Sequence, residues 1–413
     1  MNPDRGPIST ADLLSDKAIA APYEVFARLR NAGPLVWLPA HRAWFFSTYE
    51  AVIEGFHDRR LSSDRLTPLE ARVDDDRRLT LAQTFELLRG WMVFHDPPEH
   101  QRLRDPLKRA FTPRRVAALR PRIEEIVTEL LDEMEQKESS DLITDFAFPL
   151  PAIVIAELLG VPPEDREASK LWSDQLAAIV FGASNQADQA ERAAAGSAQF
   201  ADYFGWLINK YEREPADNLV SDLIAVTRVD PAGSGLSPTE LVGACTLLLF
   251  GGHETTTNLI GNSAYSLLTN PPEHAWLAEH PDQVPEVLEE LHRYDGSTKL
   301  MVRVVGESHE RHGVSLEKGE TVFLGVASAN RDPAMFDQPD RLWLERPDAQ
   351  RHLGFGYGIH FCLGASLARV EAQLALEGLV RRFPKMELGS GELGWSEVLL
   401  GRGLESLPVD LNA

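Results

Sequence analysis

Hydrophobic positions recur at three- and four-residue steps along most of this chain and alternate at two-residue steps in only a few short runs. That pattern predicts a mainly helical protein with small β-sheets. A first helix spans Tyr23 to Arg30 and is closed by Asn31-Ala32-Gly33-Pro34. Leu35–Leu38 and Ala43–Phe46 read as two strands with a turn at Pro39 to Arg42, and Tyr49 to Gly55 begins the next helix. Residues 66 to 91 read as irregular, with a short helix in their apolar later part. From Arg122 to about residue 230 the text is amphipathic helix, with Ile123, Ile126, Val127, Leu130 and Leu131 on one face. Gly182 to Gly196 is polar, alanine-rich and expected to be mobile. Thr321–Leu324 reads as a strand and Asn330–Pro333 as a turn. No internal repeat or long linker interrupts the pattern, which predicts one domain over 1–413.

Two helices are marked more sharply. Ser237-Pro238-Thr239-Glu240 is a capping box with proline at the first helical position. No proline follows until Pro271, so about 32 residues can run about 48 Å through the core. Gly251 and Gly252 in its middle cost roughly 1 kcal/mol each relative to alanine. A close ligand or a local widening of the helix must compensate. Ala244, Leu248, Gly251 and Thr255 share one face, where small residues make room for a flat cofactor and its substrate. The second helix starts near Cys362, with Leu363, Leu367, Val370 and Leu374 in helical register.

Composition narrows the class. Hydrophobic content of 43% and charged content of 25% are those of a globular protein. A net charge of −22 argues against a nucleic-acid partner. Two cysteines, Cys245 and Cys362, build no disulfide framework, which fits a cytoplasmic location. Met1 to Leu14 is polar, without a signal-peptide core, and no apolar run approaches the roughly 20 residues that span a bilayer.

The charge is uneven. Between Arg102 and Arg122 stand eight basic residues, with Lys108, Arg109, Arg114 and Arg115 among them, against the single acid Asp105. A local +7 (eight minus one) on an acidic chain focuses an acidic partner.

The candidate chemistry centres on Phe355-Gly356-Tyr357-Gly358-Ile359-His360-Phe361-Cys362-Leu363-Gly364. Glycines let the main chain turn and approach whatever the sulfur holds, and a helix start stabilises a thiolate. A structural or catalytic cysteine is the alternative, but the run Phe-Gly-x-Gly-x-His-x-Cys-x-Gly resembles the haem-binding loop of the cytochrome P450 family. The resemblance implies the P450 fold, haem b as cofactor and Cys362 as the axial ligand on iron. It implies that His360, and Arg303 in the strand after Leu300 and Met301, meet haem propionates, with His352 a further contact. Phe355, Gly356, Gly364 and Gly252 would border the macrocycle.

Further motifs match the same family in order. In Asp96-Pro97-Pro98-Glu99-His100, Asp96 is expected to cap a helix on which His100 and Arg104 lie one turn apart. By resemblance this pair also holds a propionate. Glu254-Thr255, beside the two glycines, is similar to the family's oxygen-activation pair: Thr255 hydrogen-bonds dioxygen and Glu254 relays protons. The family often has alanine where Gly251 stands. Glu290, Arg293 and Arg346 resemble its buried ionic triad, although Leu342 and Trp343 replace the usual aromatic and acid.

The resemblance implies a monooxygenase that inserts one oxygen atom of O2 into a C–H bond. Electrons would come from a ferredoxin-type donor docking near Arg102, Lys108, Arg109, Arg114 and Arg115. A peroxide-driven enzyme and a non-catalytic haem-binding sensor are the other classes. Expected substrate contacts are Phe85 and Leu88 in the 66–91 segment, Ile179, Val180 and Phe181 before the mobile stretch, and Ala244, Leu248 and Gly251 on the long helix. Leu300, Met301 and Leu399 complete them, the last at a hairpin tip. These are mostly apolar, which suits a lipophilic terpenoid, steroid, fatty acid or secondary metabolite.

Overall fold

The computed structural model describes residues 7–137, 139–182, 188–228 and 235–411. The chain is predominantly helical and falls into two compact units, each assembled from separated stretches of sequence.

The first unit comprises residues 1–61, 120–150 and 255–413. It holds the sheets. Leu35–Leu38 and Ala43–Phe46 form the expected hairpin, with Leu35 opposite Phe46. Thr321–Leu324 runs parallel to Ala43–Phe46, and Met301–Val305 lies antiparallel beyond it, so that Arg303 faces Val322. All four residues of Ala43–Phe46 are buried, because the strand is central and covered on both faces. One face packs Trp44, Phe46, Val322 and Leu324 into a core. The other packs Phe26, Phe45, Phe323 and Leu300 into a second. A smaller sheet pairs Pro408–Asp410 with Ser140–Asp141 and Glu387–Leu388.

The second unit comprises residues 62–119 and 151–254 and is built of helices. The 66–91 segment is not irregular: it forms helices Leu66–Arg72, Asp75–Thr80 and Ala82–Arg89. Asp74 accepts a hydrogen bond from the Arg77 N–H and caps the second of these, a signal obscured in the sequence by the surrounding run of charges. The stretch after residue 188 is not a mobile loop either, since Gln189–Arg213 is one helix. Ala193, Gly196 and Ser197 are buried in it, and a Cβ on Gly196 would come within 3.0 Å of the Trp172 carbonyl oxygen on Arg166–Phe181. Small side chains here let two helices approach closely; their alanine content marks packing. The expected mobile residues 183–187 lie outside the described residues.

The long helix, Pro238–Leu268, contributes to both units, and the boundary falls between Glu254 and Thr255. Its capping box forms as the sequence requires: Ser237 N–H donates to Glu240 Oε2 at 2.8 Å, and Glu240 N–H to Ser237 Oγ at 3.3 Å. No described helix is long and apolar enough to cross a membrane.

Candidate active site

The cysteine loop belongs to the first unit. Gly356 and Gly358 have φ of +72° and +70°, a region that L side chains rarely adopt. At Gly356 a Cβ would also stand 3.1 Å from the terminal methyl of Met301, a tight contact that the methionine would have to yield to. The turn brings the Cys362 N–H to the Phe355 carbonyl at 2.9 Å. Phe355 is buried, whereas Cys362 is exposed, with Ile359 and Phe361 exposed beside it. Helix Ala365–Arg382 starts three residues later, behind Gly364. A Cβ on Gly364 would meet nothing within 4 Å among the described residues. An accessible thiol, bare apolar neighbours and an open cradle at a glycine fit a flat, apolar macrocycle carrying a soft metal. The donor set therefore suits haem.

Behind this loop lies a charged network that sequence reasoning missed in part. Arg369 donates to both oxygens of Glu289 at 2.7 and 2.8 Å, and Glu289 accepts from His352 Nε2 at 2.9 Å. Nδ1 of His352 accepts from the Gly354 N–H at 3.0 Å. Both ring nitrogens are thus engaged within the protein, and neither is left for a propionate. His352 braces the loop from behind, which corrects its expected role. The Glu289 carboxyl is held far below its usual range: against its burial, the hydrogen bonds from Arg369 and His352 and the Arg369 charge prevail. Arg369 also lies over the Phe355 ring at 4.4 Å, and the buried His292 ring meets Phe355 edge-on at 4.4 Å.

The triad forms. Arg293 is bidentate on Glu290, and Arg346 Nε lies 3.0 Å from Glu290 Oε2. Arg346 further donates to the Asp337 carbonyl at 2.6 Å, and Arg293 to those of Asn330 and Pro339. Leu342 is buried, and Trp343 offers its N–H to Glu290 Oε1 at 3.0 Å. Arg303 is buried on strand Met301–Val305, and His360 closes the short 3-10 turn Gly358–His360.

In the second unit, helix Glu99–Ala110 carries His100 and Arg104 at i and i+4. Asp96 does not cap it. Its carboxylate accepts instead from Ser62 Oγ and from the Ser63 N–H at 2.8 Å, and Pro98 occupies the capping position. His100 is buried, and its pKa falls to about 4, chiefly through desolvation and then through the Arg104 charge. A buried imidazole beside a guanidinium is a place where an anion restores the protonated form.

On Pro238–Leu268, Ala244 and Cys245 are buried, while Leu248, Gly251, Gly252, Glu254 and Thr255 retain accessible surface. A Cβ at Gly251 would meet nothing within 4 Å among the described residues, whereas one at Gly252 would stand 2.7 Å from Ile155. His253, between this pair and Glu254, is buried with Nδ1 2.8 Å from the Leu249 carbonyl, four residues back. Desolvation keeps it neutral, with a pKa near 4.

The expected substrate contacts divide. Phe85 and Leu88 are fully buried in the second unit, and Ala244 and Leu300 are almost so, leaving no surface to touch a substrate. Val180 is nearly buried as well. Ile179, Phe181, Leu248 and Gly251 in the second unit, and Met301 and Leu399 in the first, retain surface. Phe181 stacks on Phe250, which packs on Trp91, an aromatic column that periodicity alone could not distinguish from ordinary core.

The basic patch is partly neutralised. Arg102 is paired with Glu99 and Glu240, and Arg115 with Asp222 and Asp217. Lys108, Arg109 and Arg114 are exposed.

A family model described as cytochrome P450 matches residues 198–390. A polyketide biosynthesis cytochrome P450 of Bacillus subtilis is 36% identical over 95% of this chain and 96% of its own. A vitamin D(3) 25-hydroxylase of Pseudonocardia autotrophica is 40% identical over 97% of this chain and 96% of its own. Among solved structures, P450BioI in complex with acyl carrier protein ligated to hexadec-9Z-enoic acid has a TM-score of 0.87 and 35% identity. That match covers 96% of this chain and 100% of the other.

Proposed function

The chain belongs to the cytochrome P450 family, a family of haem b monooxygenases, and from that premise we propose that it oxygenates C–H bonds of a lipophilic small molecule. Electrons come from a ferredoxin-type donor docking near Arg102, Lys108, Arg109, Arg114 and Arg115, where the local charge is positive. The two units are read as one catalytic domain over 1–413, because the relatives match over nearly their whole length. Cytoplasmic residence is part of the same reading.

The observation that carries the assignment is Cys362, an exposed thiol in a glycine-framed loop braced by the Arg369–Glu289–His352 network. When bound, haem supplies the reductive activation of dioxygen. Cys362 Sγ would hold the haem iron, and His100, Arg104, Arg303 and His360 would hold its propionate oxygens. Thr255 Oγ1 offers a hydrogen bond to the oxygen substrate, and the half-buried Glu254 carboxyl passes protons towards it. Leu248, Gly251, Ile179, Phe181, Met301 and Leu399 present apolar surface to the substrate. A lipophilic substrate is supported by the vitamin D(3) hydroxylase among the relatives and by the fatty-acyl group in the matched structure.

The deciding experiment is the absorption spectrum of reduced protein with carbon monoxide, beside Cys362→His. A strongly red-shifted Soret band lost in the variant supports the assignment; a histidine-type band in both sinks it. Turnover with ferredoxin, reductase and a nicotinamide donor, against peroxide alone, then separates the monooxygenase from a peroxygenase. Absence of any turnover points to a sensor.

A further inference from the structure

Lys299 is 4% exposed, yet it has no carboxylate partner. Its Nζ donates to one acceptor, the Val398 carbonyl at 2.6 Å, and no acid lies within salt-bridge distance among the described residues. Among the described residues its other two N–H donors find no acceptor. The nearby Arg402 guanidinium has its own acid: Asp295 accepts from Arg402 Nε at 2.6 Å and from the Tyr23 hydroxyl at 2.6 Å. Arg402 is itself held by the Ile19 carbonyl and by the face of Trp395. Burying an ammonium group against a single carbonyl is costly. A neutral amide or hydroxyl would clip the same turn at less cost.

The main chain holds Lys299 firmly in this position. Its N–H donates to the Leu400 carbonyl at 2.8 Å, its carbonyl accepts from the Ala327 N–H at 3.0 Å, and Thr298 bridges Gly401. The half-buried turn Val398–Leu400 covers the ammonium. Lys299 is tied to the turn that carries Leu399 and stands two residues before Met301, which opens strand Met301–Val305; Leu399 and Met301 both retain surface. The Met301 methyl abuts Gly356 of the cysteine loop.

We propose that Lys299 anchors the carboxylate of a lipophilic acid, so that the substrate is an amphiphile held by its charged end at the Val398–Leu400 turn. The ammonium exchanges the Val398 carbonyl for a carboxylate oxygen and gains the ionic partner the fold withholds. This deepens the monooxygenase reading and rests on it. Burial, and then the Arg402 charge, lower the Lys299 pKa to about 8; Glu397, also on the turn, is exposed and makes no ion pair with it. The anchor is therefore charged at neutral pH and discharges as pH rises past that value.

The test uses holoenzyme and straight-chain acids from decanoic to hexadecanoic, each beside its methyl ester, with affinity measured by calorimetry and by the Soret shift. The acid is expected to bind at least about tenfold more tightly than its ester, as a charge-assisted hydrogen bond would give. Lys299→Met should bring acid and ester within about twofold while the ester affinity stays, and Lys299→Arg should retain the preference. An unchanged preference in Lys299→Met overturns the proposal, and so does a series in which no acid outbinds its ester, total absence of binding included. Should Lys299→Met not hold haem, the wild type decides: the acid preference must fall between pH 7 and pH 9.5, and a constant ratio overturns the anchor. The carbon monoxide spectrum of the same preparations reports on the haem-thiolate reading separately.

Discussion

Arg293 and Glu290 meet as a bidentate pair one helical turn apart, Nε to Oε2 at 2.6 Å and Nη2 to Oε1 at 2.9 Å, with both side chains wholly buried. Glu290 also carries the Arg346 guanidinium and the Trp343 N–H, so one carboxylate ties helix Val284–Asp295 to the 337–346 segment. Removing one partner leaves charge uncompensated in a dry site. Glu290→Gln is expected to cost roughly 3–5 kcal/mol. Chemical denaturation and haem content of the purified variant check this; a loss under about 1 kcal/mol would contradict it.

Adjacent glycines on the long helix should respond oppositely to the same change. Gly251→Ala adds a methyl to open space and is expected to leave stability unchanged or raise it by up to about 1 kcal/mol. Gly252→Ala drives a methyl into Ile155, whose Cβ as well as its outer atoms stands too close, and should cost about 1–3 kcal/mol. Thermal melts of the two variants side by side measure the difference.

Glu371, on the helix after the cysteine loop, is 1% exposed, and its Oε2 finds no hydrogen-bond partner among the described residues. Desolvation raises its pKa well above the ordinary carboxylate value of 4.5. Above pH 4.5 the unfolded chain therefore holds fewer protons at this group than the folded one, and stability falls as pH rises. Glu371→Gln removes that proton uptake. The variant should melt at least roughly 2 °C above wild type at pH 8, with the gain shrinking towards pH 4.5. A gain constant with pH would show that the wild-type carboxyl does not titrate in this range.

Within the basic patch, two kinds of basic residue should separate. Lys108→Glu and Arg114→Glu change exposed charges and should raise the KM for a ferredoxin several-fold, an effect that fades as salt approaches about 0.5 M. Arg102→Glu and Arg115→Glu break pairs with Glu99, Glu240 and Asp222 and should lower thermal stability in addition. Steady-state kinetics at two ionic strengths, with a melt for each variant, distinguish docking from structure.

The features legible in the sequence are those whose cause is local. The Ser237–Glu240 capping box, the helix behind Gly364, the Leu35–Phe46 hairpin and the Glu290–Arg293 turn each depend on residues within a few positions of one another. The glycine spacing around Cys362 likewise encodes its own turn, because φ near +70° at Gly356 and Gly358 excludes most other residues. From those motifs alone the family and its cofactor followed. What tertiary structure decided depends on partners far away in the chain. His352 and Arg369 converge on Glu289 across 63 and 80 residues, Arg102 finds Glu240 across 138, and Asp295 is taken by Arg402 across 107. Lys299 finds the Val398 carbonyl across 99. Phe85 and Leu300 have the apolar character of substrate contacts, yet only packing reveals that they have no surface to offer. Spacing along a helix or strand fixes which side chains share a face, but burial and charge pairing are set by which faces meet, and that is a property of the folded chain.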